Sequence, residues 1–188
     1  IRERWHQDGL IEALADGTID AIATDHAPHA LDEKNLPSFW DNACGFPGVE
    51  TSMRLMLTLV DRGRLTLEQY VRAASAAPAR AFGLYPRKGV VQPGADADLA
   101  IVDPRAEGVI TGSSLHSIRS RFTPFEGMRT VGAPVATVVR GRVVMRDGRV
   151  ADCPGWGQQE RPQMAPPAPR NPATTTAAIL RPEARPFS

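Results

Sequence analysis

The chain has 188 residues, of which 42% are hydrophobic, and a formal net charge of +1. Near-neutral charge gives no electrostatic basis for binding nucleic acid or an anionic membrane surface, and no apolar run approaches the roughly 18 residues that span a bilayer. Cys44 and Cys153 lie far apart, form no CxxC pair and follow no secretory leader, which predicts reduced thiols in a cytoplasmic compartment.

The length allows one domain with a sizeable core, or parts of two. A start at isoleucine, inside a polar turn, is what an N-terminally truncated piece would show. Leu10, Ile11 and Leu14 recur at helical spacing, so residues 8–14 are expected as a helix closed by the turn Asp16-Gly17. Residues 19–24 are short, nearly uncharged and rich in Ile and Ala, the texture of a parallel strand buried on both faces. Residues 30–47 are polar and aperiodic, as in an active-site lid or a disordered insert. Cys44-Gly45-Phe46-Pro47-Gly48 ends this loop, and its glycines permit close backbone approach to a ligand or, as we read Gly48, a tight turn before a helix. Residues 49–60 form that helix, with Met53, Met56, Leu57 and Val60 as its core stripe.

Thr66 with Gln69 makes a capping box for a helix that should run to Ala77 and stop before Pro78, with one more helical turn at 79–84. After Tyr85 the texture turns to β. Residues 89–94 read as a short strand and turn, 97–102 as a buried strand, and 134–140 and 142–145 as two runs parted by Gly141, with Asp147-Gly148 as a hairpin turn. Beyond residue 151 the Pro, Ala, Thr, Gln and Arg content predicts a flexible tail. The expected organisation is an α/β domain over 1–85, a small β domain over 86–150 and the tail over 151–188.

The chemistry concentrates in Thr24-Asp25-His26-Ala27-Pro28-His29, at the carboxyl end of the predicted strand. In parallel α/β folds this is where loops converge and catalytic groups stand. Carboxylate and imidazole bind zinc-like ions and move protons, so metal-assisted hydrolysis is the first expectation. A catalytic zinc takes three or more protein ligands, and the chain has only four histidines, His6, His26, His29 and His116. Its site is therefore incomplete by count.

Four stretches together resemble the C-terminal portion of a cyclic amidohydrolase, and within that superfamily a dihydroorotase of the long bacterial type. They are Asp16-Gly17-Thr18-Ile19-Asp20 leading into the Asp25 motif; Gly45-Phe46-Pro47-Gly48-Val49-Glu50-Thr51; Lys88-Gly89 with Pro93-Gly94-Ala95-Asp96-Ala97-Asp98-Leu99; and Thr123-Pro124-Phe125-Glu126-Gly127 with Ala136-Thr137-Val138-Val139-Arg140-Gly141. The resemblance covers about residues 1–150. It implies the last strand and helices of a (β/α)8 TIM-type barrel plus a small β-sandwich domain, with the N-terminal part of the barrel missing.

By the same resemblance Asp25 is both metal ligand and catalytic base, with one or two zinc ions as cofactor. His29, four places after Asp25, would bind a substrate carboxylate, and Cys44 and Gly45 would position the substrate through their backbone. His26 would either support the ligands from behind or make a plain loop hydrogen bond. The implied reaction is hydrolysis of a cyclic amide, dihydroorotate to or from N-carbamoyl-aspartate in pyrimidine synthesis. Allantoinase or hydantoinase chemistry is the alternative, and a non-catalytic homologue serving as a scaffold is another. The implied partners are the small cyclic amide and either a second copy of the chain or a pyrimidine-pathway enzyme. The first-strand His-x-His, the bridging carboxylate or carboxylated lysine and the two mid-barrel histidines of that family are absent, so the isolated chain is expected to be inactive.

Overall fold

Apolar spacing sets the first helix, though it begins earlier than the spacing predicts. The computed structural model describes residues 3–162, and the part of the expected tail beyond 162 lies outside the described residues. Helix α1 spans Arg4–Asp16 and ends where Gly17 adopts a left-handed φ of 91°, the conformation glycine takes without steric cost. The chain folds back at once, with Ile19 N–H donating to the Ala13 carbonyl at 2.9 Å.

Residues 19–24, expected as a buried parallel strand, lie in no sheet among the described residues. A strand exists through ladder partners, and here none of the described strands pairs with it. Its side chains still find a core: Ile19 and Ile22 pack on the buried cluster of Leu14, Leu65 and Ala73, and Ile22 N–H reaches the Ala73 carbonyl at 3.1 Å. Fully burying a leucine is worth about 2 kcal/mol, so this cluster holds α1 to the helices that follow.

Those helices are α2 (Leu31–Lys34), a 3-10 turn (Phe39–Asp41), α3 (Val49–Asp61), α4 (Leu67–Val71) and α5 (Ala77–Ala81). The capping box forms as expected, with Thr66 Oγ1 accepting from Gln69 N–H and Gln69 Oε1 accepting from Thr66 N–H. The helix does not stop before Pro78, however. A wide π turn over Arg72–Ala76, closed by Ala77 N–H on the Arg72 carbonyl, joins α4 to α5. Proline lacks an N–H and collides with the carbonyl four residues back in a regular helix, and the wider turn accommodates it.

The β region is one antiparallel sheet in the order β1 (Leu99–Val109), β2 (Arg129–Val139), β3 (Arg142–Arg146), β4 (Arg149–Val150). Of the expected β-sandwich domain the described residues show this one antiparallel sheet, with α3 lying against β2. Of the short strand and turn expected over 89–94 only the turn forms, tied by Ala95 N–H to the Gln92 carbonyl. Asp147-Gly148 turns the last hairpin with φ of 49° and 75°, the positive pair that matches strand twist in a type I′ turn. Trp156, in the stretch expected as tail, donates its indole N–H to the Val139 carbonyl at 2.8 Å. The guanidinium groups of Arg140 and Arg142 stand over its ring.

Helix α3 joins the two regions. Thr58 Oγ1, 2% exposed, accepts from Val131 N–H at 3.1 Å and donates to the Arg54 carbonyl at 2.7 Å. Next to it Gly132 has φ 92°, and a Cβ there would lie 2.5 Å from Leu57 Cβ. Both the conformation and the contact demand glycine. Gly132→Ala should lower unfolding stability by about 2–4 kcal/mol, read as the midpoint shift in urea; a change below about 0.5 kcal/mol would be incompatible with this contact.

Candidate active site

Asp25 stands at the end of the 19–24 segment with φ 46° and an exposed side chain. Left-handed backbone at a non-glycine residue costs about 1–3 kcal/mol and persists only where neighbours over-determine it. The neighbours here are specific. On one side, Gly48 is so close that a Cβ would fall 2.9 Å from the Thr24 carbonyl oxygen. On the other, Ala27 N–H donates to the Phe46 carbonyl at 3.1 Å, and a Cβ on Gly45, whose φ is 115°, would fall 2.5 Å from Ala27 Cβ. The glycines of the Gly45-Phe46-Pro47-Gly48 loop thus permit close approach to the Asp25 segment of the chain itself.

His26 completes the contact. Its Nδ1 lies 3.1 Å from both Gly48 N and Val49 N, so it accepts from the first amides of α3 and its own proton sits on Nε2. Helix-start amides have no acceptor within the helix, and Gly48 has no side chain to cap them.

The loop over 30–47 is braced from inside. Glu33 Oε2 accepts from Ala30 N–H at 2.7 Å and lies 3.5 Å from His29 Nδ1. Lys34 Nζ donates to the carbonyls of Ala43 and Gly45 at 2.6 and 2.7 Å, and sits 5.0 Å over the Phe122 ring. Three ammonium donors on one compact head suit a point where several carbonyls converge. His29 is half-buried and faces an acid of its own chain, so a substrate carboxylate would meet its imidazole in competition with Glu33. Cys44 is exposed, with Sγ no nearer than 4.0 Å to the Asn42 carbonyl. No base is placed on it to make a nucleophile.

The structure therefore brings Asp25, His26 and the Gly45–Gly48 backbone together and places His29 on Glu33. Among the described residues no group of three or more His, Cys, Asp or Glu side chains could hold a metal ion. Asp25, an exposed carboxylate, fits one ligand of such an ion and no more. Sequence reasoning missed Lys34, whose only signal was being one of two lysines among 22 basic residues. It also missed His116. That imidazole places Nδ1 2.6 Å from Glu50 Oε1 and Nε2 3.1 Å from the Gly148 carbonyl, while its backbone N–H donates to Glu50 Oε2 at 2.8 Å. The Glu50 hydrogen bond and charge raise its pKa above the usual histidine value. It ties the first turn of α3 to the β3–β4 hairpin.

A model of the amidohydrolase family matches residues 3–144. The chain is 44% identical over 134 residues to a dihydroorotase of Methanothermobacter thermautotrophicus, covering 71% of the chain and 30% of that protein. It is 41% identical over 152 residues to an L-hydantoinase of Paenarthrobacter aurescens, covering 79% of the chain and 33% of that protein. A solved D-hydantoinase (dihydropyrimidinase) from a Thermus species superposes with a TM-score of 0.79 at 39% identity, over 84% of the chain and 35% of the solved one. The chain spans about a third of the length of the curated relatives it matches.

A histidine whose folded pKa is raised adds stability that is complete below its unfolded pKa of about 6.5 and is lost as pH rises through the folded value. The thermal midpoint of the wild type should exceed that of Glu50→Gln most at about pH 5–6, the gap closing as His116 deprotonates. A gap that stays constant in fluorescence melts from about pH 5 to about pH 9, across the unfolded value of about 6.5 and well above it, would mean that His116 and Glu50 are not paired.

Proposed function

The chain belongs to the amidohydrolase family, and from that premise we propose that it is the closing portion of a metal-dependent hydrolase of cyclic amides, with dihydroorotate as the favoured substrate. The observation that carries the reading is Asp25, an exposed carboxylate held at a strained φ of 46° between two glycine contacts. Arg140 and Asp147 also have positive φ, at the turns of the sheet; at Asp25 the same conformation stands in a motif rich in chemistry, and such backbone strain clusters at active sites.

In the proposed reaction water adds to the ring amide carbonyl carbon. Asp25 takes a proton from that water as the C–O bond forms and returns it to the ring nitrogen as the C–N bond breaks, leaving an open-chain amide and a carboxyl group that releases the second water proton to solvent as it becomes a carboxylate. One carboxylate serves both transfers. A zinc-type ion, one or two per site, would polarise the carbonyl and lower the pKa of water when bound. Asp25 is the ligand this chain would supply, and the rest would come from outside it. The Gly45 backbone lies against Ala27 of the Asp25 segment and, with Cys44 before it, would line the substrate's path, while the Cys44 thiol has no chemical part.

His29 supports dihydroorotate over an uncharged ring, because an imidazole attracts a substrate carboxylate. Glu33 works against this, and exchange of Glu33 for the substrate anion is the step the reading requires. Hydantoinase activity is the second reading, favoured by the likeness to the Thermus enzyme. The proposed setting is cytoplasmic, with a second copy of the protein or a pyrimidine-pathway enzyme as partner.

The complete protein carrying this segment, assayed on dihydroorotate, hydantoin and allantoin, tests the choice. Dihydroorotate turnover is expected, with Asp25→Asn reducing kcat at least about 100-fold and His29→Ala acting mainly on KM. Turnover of hydantoin alone would overturn the dihydroorotase assignment.

A further inference from the structure

Asp25 is held in place from both sides, and the two sides differ in kind. Toward Phe46 the hold is a backbone hydrogen bond and a glycine contact. Toward α3 a glycine contact, Gly48 against the Thr24 carbonyl, is joined by one side-chain atom, His26 Nδ1, 3.1 Å from each of two amides. We infer that His26 is a positioning residue: its Nδ1 serves as the N-terminal cap of α3 and by that bond fastens the Asp25 backbone in its left-handed conformation. The inference rests on the proposed role of Asp25, and names what sets it.

The first amides of a helix need an external acceptor, usually a Ser, Thr, Asn or Asp at the residue before the helix. Gly48 occupies that place and cannot serve. Glycine is required there for another reason, since any Cβ would strike the Thr24 carbonyl. The acceptor must therefore come from elsewhere, and His26 supplies it from 22 residues earlier in the chain. Because His26 follows Asp25 directly, anchoring its ring to α3 restricts the peptide between them. Helix α3 is itself fixed to the sheet through Thr58 and Gly132, so the anchor is a rigid one. The bonds run from sheet to helix to His26, and end at the backbone of Asp25.

Asparagine distinguishes this from mere space filling. Its Oδ1 is as many bonds from the main chain as His Nδ1 and accepts hydrogen bonds, but it lacks the ring. Three proteins are compared by NMR on the 188-residue chain: wild type, His26→Ala and His26→Asn. In the wild type the His26 ring should carry its proton on Nε2, and the Gly48 and Val49 amides should exchange slowly. In His26→Ala both amides should exchange about tenfold faster or more, and the one-bond Cα–Hα coupling of Asp25, which reports the sign of φ, should shift from its positive-φ value. In His26→Asn both readouts should stay near wild type. Unchanged exchange in His26→Ala, a proton on Nδ1, or an Asp25 coupling indifferent to the substitution would overturn the proposal. In the complete protein His26→Ala should lower kcat about tenfold or more with KM within about twofold. If the unsubstituted complete protein turns over no cyclic amide, the amidase reading fails, while exchange and coupling still decide the role of His26.

Discussion

The first turn of α3 carries amides that its own helix cannot satisfy, and much of the structure near Asp25 is arranged around them. His26 Nδ1 takes two of them. Glu50, on the same turn, holds His116 and through it the β3–β4 hairpin. Gly48 gives up any side chain so that Thr24 can lie against the helix start. Three separated segments of the chain thus meet at one helix end, where unsatisfied donors and the positive end of the helix dipole both favour acceptors and anions.

A second principle is the use of the two lysines as cross-braces. Lys34 gathers the carbonyls of Ala43 and Gly45 and so closes the loop that carries Cys44. Lys88 is paired with Asp96, Asp98 and Glu160 where the chain passes from helices to sheet. Asp98 in turn accepts from Arg140 N–H at the β2–β3 turn. A flexible stem with three donors reaches such convergent acceptors more readily than the planar fork of arginine. In a chain whose other 20 basic residues are arginine, the two exceptions stand at junctions.

Local signals were legible wherever the physics was local. The Thr66–Gln69 capping box, the turn at Gly17, the Asp147-Gly148 hairpin and the apolar face of α3 each depend on residues a few positions apart, and each appears as read. The misreadings share a cause. Whether 19–24 is a strand depends on partners elsewhere, and whether Pro78 ends a helix depends on the turn before it. The loop over 30–47 looked aperiodic because its order comes from Lys34, Glu33 and Asn42 reaching across it, a pattern with no sequence period.

Family membership was readable from the residues alone, through motifs that matched over most of the chain, and Asp25 stood out among them as the carboxylate of the motif at 24–29. Both were legible because motif residues are adjacent in the chain, and their chemistry is intrinsic to their side chains. It took the folded chain to reveal that His26 caps a helix 22 residues away, that His29 faces Glu33, and that His116 clasps Glu50 and the Gly148 carbonyl. Those roles follow from which acceptor lies within about 3 Å of which donor, a distance that sequence separation does not encode.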